Sequence, residues 1–257
     1  MIDLHCHLLP GIDDGPATVD ESVELAKSMS EQGVRTVVAT PHVRPDHPGV
    51  VPRELAARCD ELRARLGMAG IELELLPGGE LDVPTGLEMG ADELRLVSLG
   101  QQGQALLVET PYGPLATPFE DALDRLRLAG FELLLAHPER NPTFQRDPER
   151  LAALVRRGVL VQVTASSLTR RPRESRSARL AHELVADGLA HVIASDAHGL
   201  GNITRDSLAD GVAAARSRVG TLADWMATEA PATILAGGVP SPPPREPARR
   251  GWRRLLG

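Results

Sequence analysis

The stretch FELLLAHPER, residues 131–140, decides how the chain is read. A short apolar run ends in His137, and Pro, Glu and Arg follow at once. Its length and composition suit a buried strand rather than an amphipathic helix. The same design recurs in IDLHCH (2–7), RTVVATPH (35–42), ELELLPGGE (72–80), ALLVET (105–110), VLVQVTASS (159–167) and HVIASDAH (191–198). Between these runs lie helical patterns, namely DESVELAKSMSEQG (20–33), PRELAARCDELRARLG (52–67), FEDALDRLRLAG (119–130), PERLAALVRRG (148–158), RLAHELVADG (179–188) and SLADGVAAARSRVG (207–220). Several end in Gly, as helix C-termini do. Repeated strand–helix alternation predicts βαβ units and a parallel sheet. In a closed barrel every strand's C-terminal end meets on one face, whereas an open doubly wound sheet gathers ligands only near its switch point. Seven strands, nearly all carrying polar residues at that end, predict an α/β fold of the distorted seven-stranded (βα)7 TIM-like barrel type.

Bulk properties set the outer limits. A length of 257 residues is ordinary for an α/β barrel. With 42% hydrophobic but only 2% aromatic residues, the core must be built from Leu, Val, Ile and Ala. A net charge of −7 argues against a general nucleic-acid binder, which needs a cationic face. Cys6 and Cys59 make neither a disulfide framework nor a zinc-finger spacing. Neither a cationic leader with an apolar core nor a bilayer-length apolar run is present, so a soluble cytoplasmic protein is expected. The last stretch, GGVPSPPPREPARRGWRRLLG (237–257), changes character to Pro and then Arg. Residues 1–236 are therefore read as one domain, and 237–257 as a disordered tail. A weak contact of RRGWRRLLG with anionic membrane or an acidic partner is the alternative reading of that tail.

Chemistry is concentrated at the strand ends. Alternate residues of a strand share a face, so His5 and His7 of HCH converge while Cys6 turns away. Other strand ends supply His42, Glu80, Glu109, His137, Asp196 and His198, and the loop after the first strand supplies Asp14. His47, His182 and His191 fall in a loop, a helix and a strand start, and are assigned to structure or solvent. Imidazole and carboxylate without thiolate suit Mn2+, Fe2+ or Zn2+. Nine donors exceed one ion's needs, so two or three ions bridged by a carboxylate are expected. Three such ions would leave a positive surplus over four carboxylates, enough for a phosphate dianion and a hydroxide. Clusters of this kind acidify bound water and hold both attacking and leaving oxygens. Arg140 in HPERN and Arg205 in GNITRD are the candidates for gripping phosphate oxygens. Cys59 and Arg65 match a C-x5-R phosphatase spacing, but the intervening residues form a helical pattern without glycine, so the match is read as chance.

The ordered set DLHCH, TPH, GGE, VET, AHPER and SDAH resembles the polymerase-and-histidinol-phosphatase (PHP) superfamily. HxH…DDGP, GVRTVVATPH, AHPERN and VQVTASSL are closer still to its bacterial manganese-dependent protein-tyrosine phosphatases of the CpsB type. Those enzymes accompany capsule and exopolysaccharide synthesis. The resemblance runs from residue 1 to roughly residue 235. It implies a trinuclear site, with His5, His7, Glu109 and Asp196 on one ion. Glu109 and His137, with Glu80 nearby, would serve the second, and Asp14, His42 and His198 the third. Arg140 matches a phosphate-contacting arginine, and Arg205 is an imperfect match to another. The implied substrate is the tyrosine-rich tail of a membrane-associated tyrosine kinase.

The reading that follows is a metal-dependent protein-tyrosine phosphatase, a phosphoric monoester hydrolase. Hydroxide held between ions would attack phosphorus, and His42 or His198 would help the tyrosine oxygen leave. A small phosphomonoester such as histidinol phosphate is the nearest alternative substrate. An amidohydrolase would want an eighth strand and often a carbamylated lysine, and the only lysine is Lys27, in the first helix. A metal-binding regulatory module without turnover would be expected to have lost ligands, and all nine are present.

Overall fold

The computed structural model describes residues 1–116, 118–203 and 207–242. Arg205 and most of the Pro/Arg-rich tail lie outside the described residues. The fold is mixed α/β with parallel sheets. Its strands are β1 (Ile2–Cys6), β2 (Thr36–Ala39), β3 (His42–Val43), β4 (Glu74–Pro77), β5 (Glu80–Asp82), β6 (Ala105–Glu109), β7 (Glu132–Ala136), β8 (Leu160–Thr164) and β9 (Val192–Ala194). They form a three-stranded sheet ordered β1-β2-β4 and a six-stranded sheet ordered β3-β5-β6-β7-β8-β9, every pairing parallel.

Two strands expected to run unbroken are interrupted. The run 35–42 divides into β2 and β3 at Thr40 and Pro41, where proline has no N–H for the ladder. The run 72–80 divides into β4 and β5 at Gly78 and Gly79. A Cβ there would lie 2.7 Å from Val38 and 2.6 Å from Val43, so only glycine lets the chain pass this close. Hydrogen bonds cross the breaks, Thr40 N–H donating to Cys6 O (2.9 Å) and Glu80 N–H to Pro41 O (3.0 Å).

The first and last strands also meet. Cys6 bridges Ala197, Asp196 N–H donates to His5 O at 2.8 Å, and His7 N–H to Ala197 O at 2.9 Å. The buried Asp3 carboxylate accepts from the backbone of Ser195 (3.1 Å) and of His5 (3.3 Å). Burial pushes the Asp3 pKa up to about 6, against those hydrogen bonds.

Strand alternation sorts the core into two layers. Leu4, Val38, Leu107, Leu134, Ala136 and Val192 pack together on one face. Leu106, Val108, Leu133, Leu135, Val161 and Ile193 face the helices on the other. Expected helices occur at Val19–Glu31, Leu55–Met68, Phe119–Leu128, Pro148–Arg156, Arg176–Asp187 and Leu208–Val219. Cys59 sits within Leu55–Met68, where burial pushes its thiol up to about 12 and leaves it inert. No helix among the described residues is long and apolar enough to cross a membrane.

The run 159–167 stops being a strand earlier than expected. The buried Glu139 carboxylate takes the Thr164 N–H (3.0 Å) and the Ser167 hydroxyl (2.9 Å), and a short helix, Ala165–Thr169, begins there. Gly211 lets the helix Leu208–Val219 lie directly on it, since a Cβ would come within 2.6 Å of the Ala165 backbone. Gly211→Ala should therefore lower stability by about 1–3 kcal/mol through overpacking, despite alanine's better helix propensity. Urea unfolding checks this. An unchanged or raised midpoint would show that the two helices can move apart freely.

Candidate metal centre

The polar residues at the strand ends meet in one place. His5 lies within β1 and His7 directly follows it, while the Cys6 thiol faces the helix side, 3.8 Å from Met29 Sδ. His42 opens β3, Glu80 opens β5, Glu109 closes β6, His137 follows β7, and Asp196 and His198 follow β9. All are buried except His198, whose side chain is 25% exposed, and Asp14 at 51%. His137 and Asp196 hold φ of +33° and +53°. Left-handed backbone costs an ordinary residue about 1–3 kcal/mol, and here it aims two donors inward.

Glu80 stands at the middle, wholly buried. Its carboxylate lies 3.3 Å from His5 Nε2, 3.4 Å from His7 Nε2, 2.9 Å from His42 Nδ1 and 2.9 Å from His137 Nε2. Asp196 Oδ1 stands 3.2 Å from His5 Nε2, and the two Nε2 atoms of His5 and His7 are 3.3 Å apart. Glu80 Oε2 and both ring nitrogens of His42 are buried without a hydrogen-bond partner, so His42 and Glu80 are close but not aligned. Orphaned donors of this kind normally carry a cost of desolvation. A divalent ion would satisfy them, and an all-nitrogen-and-oxygen donor set fits Mn2+, Fe2+ or Zn2+.

Outer partners fix which imidazole nitrogen is free. The Asp13 carboxylate accepts from His7 Nδ1–H at 2.7 Å, the Gln162 side-chain carbonyl from His5 Nδ1–H at 3.1 Å, and the Asp196 backbone carbonyl from His198 Nδ1–H at 3.0 Å. Each leaves Nε2 facing the cluster, as second-shell partners of metal histidines do. Charges respond to this crowding. Burial would lower the His5 pKa, but the Glu80 and Asp196 carboxylates hold it up at about 9. Burial also opposes the charge on His7, and Asp13 with Asp196 and Glu80 raises it well above the usual value. Burial would raise Glu80 and Asp196, yet His5 and their other cationic neighbours hold both well below the usual carboxylate range. Burial and the neighbouring Glu80 push Glu109 the other way, upward.

All nine sequence-predicted donors come together, in four overlapping groups whose donor atoms lie within 4.8 Å of one another. These are His7, Asp14, His42 and His198; His5, His137 and Asp196; His5, His7 and Glu80; and His42, Glu80 and Glu109. The grouping differs from the division implied by the resemblance. Glu80 belongs to two of the groups, and Glu109 joins His42 and Glu80 while also pairing with Arg44 Nη1 at 3.2 Å. Arg140 also reaches the cluster, with Nη1 at 2.6 Å from Asp196 Oδ2 and its side chain about a third exposed.

Sequence reasoning missed Asp13, Arg44 and Gln162. Asp13 was legible as the other half of DDGP, whereas Arg44 lies in the bend after β3, beyond the reach of strand alternation. His47, read as structure or solvent, stacks on His42 at 5.3 Å and meets Arg44 at 3.2 Å. His182 and His191 do make structural bonds, the first donating to Arg170 O and the second accepting from Val161 N–H.

The CpsB/CapC family, described as capsular polysaccharide synthesis, matches residues 1–236. The chain is 36% identical over 203 residues to the tyrosine-protein phosphatase YwqE of Bacillus subtilis, covering 78% of each. It is 27% identical over 210 residues to the tyrosine-protein phosphatase CpsB of Streptococcus agalactiae, covering 78% of this chain and 84% of that one. Among solved structures, a chain from the work on YwqE of B. subtilis and CpsB of Streptococcus pneumoniae, described as metal-dependent tyrosine phosphatases, superposes with a TM-score of 0.82 at 30% identity. That match covers 97% of this chain and 100% of the other.

Ion loading should release protons. In the metal-free chain His5, with its pKa raised to about 9, is charged at neutral pH, and an ion needs it neutral. The charged form stabilises the metal-free fold fully below the unfolded value of about 6.5, and that contribution is lost as pH rises through about 9. Apparent Mn2+ affinity should therefore climb between pH 6.5 and 9. Titration calorimetry in buffers of differing ionisation enthalpy measures the release, and a heat independent of buffer would refute it.

Proposed function

The chain belongs to the CpsB/CapC family, and from that premise we infer that it is a metal-dependent tyrosine-protein phosphatase of capsular polysaccharide synthesis. The observation that carries this reading is the convergence of nine nitrogen and oxygen donors on one buried carboxylate, with Arg140 beside them. We propose that His5, His7, Asp14, His42, Glu80, Glu109, His137, Asp196 and His198 hold two or three divalent ions, Mn2+ first among them. When bound, such ions supply Lewis-acid activation of water and neutralise phosphate charge.

The chain's own residues do the rest. Arg140 pairs with Asp196 through one Nη and keeps the remaining guanidinium donors for the non-bridging oxygens of a phosphate. Asp13 and Gln162 fix the tautomers and orientations of His7 and His5. Burial and the nearby His7 charge lower the His198 pKa, so we assign His198, with His42, to ion holding before proton donation. A phenol of pKa about 10 is a tolerable leaving group, which reduces the need for a strong general acid. Arg205, the second sequence-predicted arginine, lies outside the described residues.

Finer points belong to the same proposal. We read β2 with β3, and β4 with β5, as single interrupted strands of one distorted seven-stranded barrel, supported by the hydrogen bonds across each break and at the β1–β9 contact. Residues 1–236 would form the catalytic unit. The substrate would be a phosphotyrosine-bearing protein in the cytoplasm, with the tail of a membrane-associated tyrosine kinase as the specific proposal.

Chelator-stripped protein should be inactive and regain turnover of a phosphotyrosine peptide with Mn2+, in preference to histidinol phosphate. His7→Ala should abolish that turnover. Preference for histidinol phosphate would move the substrate, and no turnover of either by metal-loaded protein would sink the phosphatase reading. Asp13→Ala, which removes the partner of His7 Nδ1 together with acceptors for the His42 and Gly15 N–H groups, should cost about 10–100-fold in Mn2+ affinity or rate. An unaffected Asp13→Ala enzyme would show that His7 needs no orienting group.

A further inference from the structure

One segment contradicts the acidic balance of the chain. Residues 170–179 read RRPRESRSAR, five arginines against one glutamate, in a protein of net charge −7. All five arginines are exposed. Elsewhere Arg95, Arg150, Arg157 and Arg216 each meet an aspartate or glutamate. Here only Arg171 approaches an acid, Glu174 at 3.9 Å. Arg170, Arg173, Arg176 and Arg179 have no carboxylate partner among the described residues.

The arrangement is concave. Pro172, Arg173, Ser175, Arg176 and Arg179 line an open groove of about 540 Å3. Ser175 caps the helix Arg176–Asp187, accepting from Ala178 N–H, and that helix has no acid in its first turn. Arginines at the positive end of a helix oppose its dipole, so this turn is poorly matched to its own charges and well matched to an anion.

Position links the groove to the proposed active site. The segment joins β8 to β9 on the side where strands terminate, the side that carries the metal-centre residues. Gln145 donates to Ser177 Oγ (3.2 Å) and to Glu139 O (2.8 Å), tying the groove wall to the turn that bears Arg140. A polypeptide whose phosphotyrosine reaches Arg140 and Asp196 can run its flank along this wall.

We propose that the Arg173–Arg176–Arg179 groove is a docking subsite for anionic residues flanking the phosphotyrosine, either carboxylates or further phosphorylated tyrosines. The proposal rests on the phosphatase reading for the chemistry, and on the groove alone for the selectivity. Exposed arginines contact such anions through screened ion pairs, each worth little, and three together give appreciable selection.

The test uses the Mn2+-loaded full chain and three substrates: p-nitrophenyl phosphate, a phosphotyrosine peptide with neutral flanks, and one with acidic flanks. The wild type should show a lower KM for the acidic peptide, and that advantage should fade as salt rises. Arg173→Ser/Arg176→Ser/Arg179→Ser should raise KM for the acidic peptide about tenfold, with kcat, the neutral peptide and p-nitrophenyl phosphate unchanged. Equal KM values for the two peptides, or equal losses on all three substrates, would overturn the proposal. So would arginine-dependent binding to phosphatidylserine vesicles without peptide selectivity, which would make the groove a membrane contact. If the wild type turns over none of the substrates, the phosphatase reading fails. The groove is then judged separately, by fluorescence anisotropy of the acidic peptide against the triple variant.

Discussion

A single buried carboxylate organises this molecule. Glu80 has no access to water and lies within 3.4 Å of nitrogens from four histidines, contributed by β1, β3 and the turn after β7. An isolated charge in that position would be prohibitively costly to desolvate, so its neighbours must be cationic, whether imidazolium or metal. This requirement explains why burial fails to raise Glu80 and why His5 remains charged in the absence of ions. Residues from both hydrogen-bonded sheets surround the site. His5 and His7 come from the three-stranded sheet, whereas Glu80, Glu109 and His42 come from the six-stranded one.

The glycine pair before Glu80 serves that carboxylate as much as the fold. Gly78 and Gly79 let the chain pass within contact of Val38 and Val43, which brings Glu80 into register with His42. Side chains at 78 or 79 would push this segment outward and separate the carboxylate from its four imidazoles. The break in the strands and the centre of the site therefore have one cause.

Much of this was legible in the chain itself, and the exceptions have physical reasons. Alternation placed His5 and His7 together and Cys6 apart, apolar runs ending in His, Asp or Glu located eight of the nine candidate donors, and the loop after the first strand supplied Asp14. The interruptions at Pro41 and Gly78–Gly79 were not foreseen, although proline and a glycine pair are local marks of a break; what the sequence does not carry is the close approach to Val38 and Val43 that requires the glycines. Glu139 ended β8 early through bonds from a neighbouring strand's turn, which no local pattern encodes. Arg44 was missed because its partner Glu109 is 65 positions away, whereas Asp13, beside Asp14 in DDGP and six positions from His7, was within reach of a local reading. The positive φ of His137 and Asp196 likewise leaves no mark in composition. Residue type revealed the members of the site, whereas their order around Glu80 depended on long-range contact.

The contact between β1 and β9 sets a schedule for synthesis. Ser195 and Asp3 are 192 positions apart, so the bond between them closes only when almost the whole catalytic unit exists. His5 and His7 emerge from the ribosome early, whereas Asp196 and His198 follow roughly 10–40 s later at ordinary elongation rates. Throughout that interval the nascent chain holds His5 and His7 without Asp196, although Glu80, which shares a group with both, emerges much earlier. The His5, His7, Glu80 and His42, Glu80, Glu109 groups can gather earlier, whereas the groups that need Asp196 or His198 wait for β9. The full set is complete only once β9 and the residues after it have emerged, and a shorter nascent fragment lacks Asp196, the partner of Arg140.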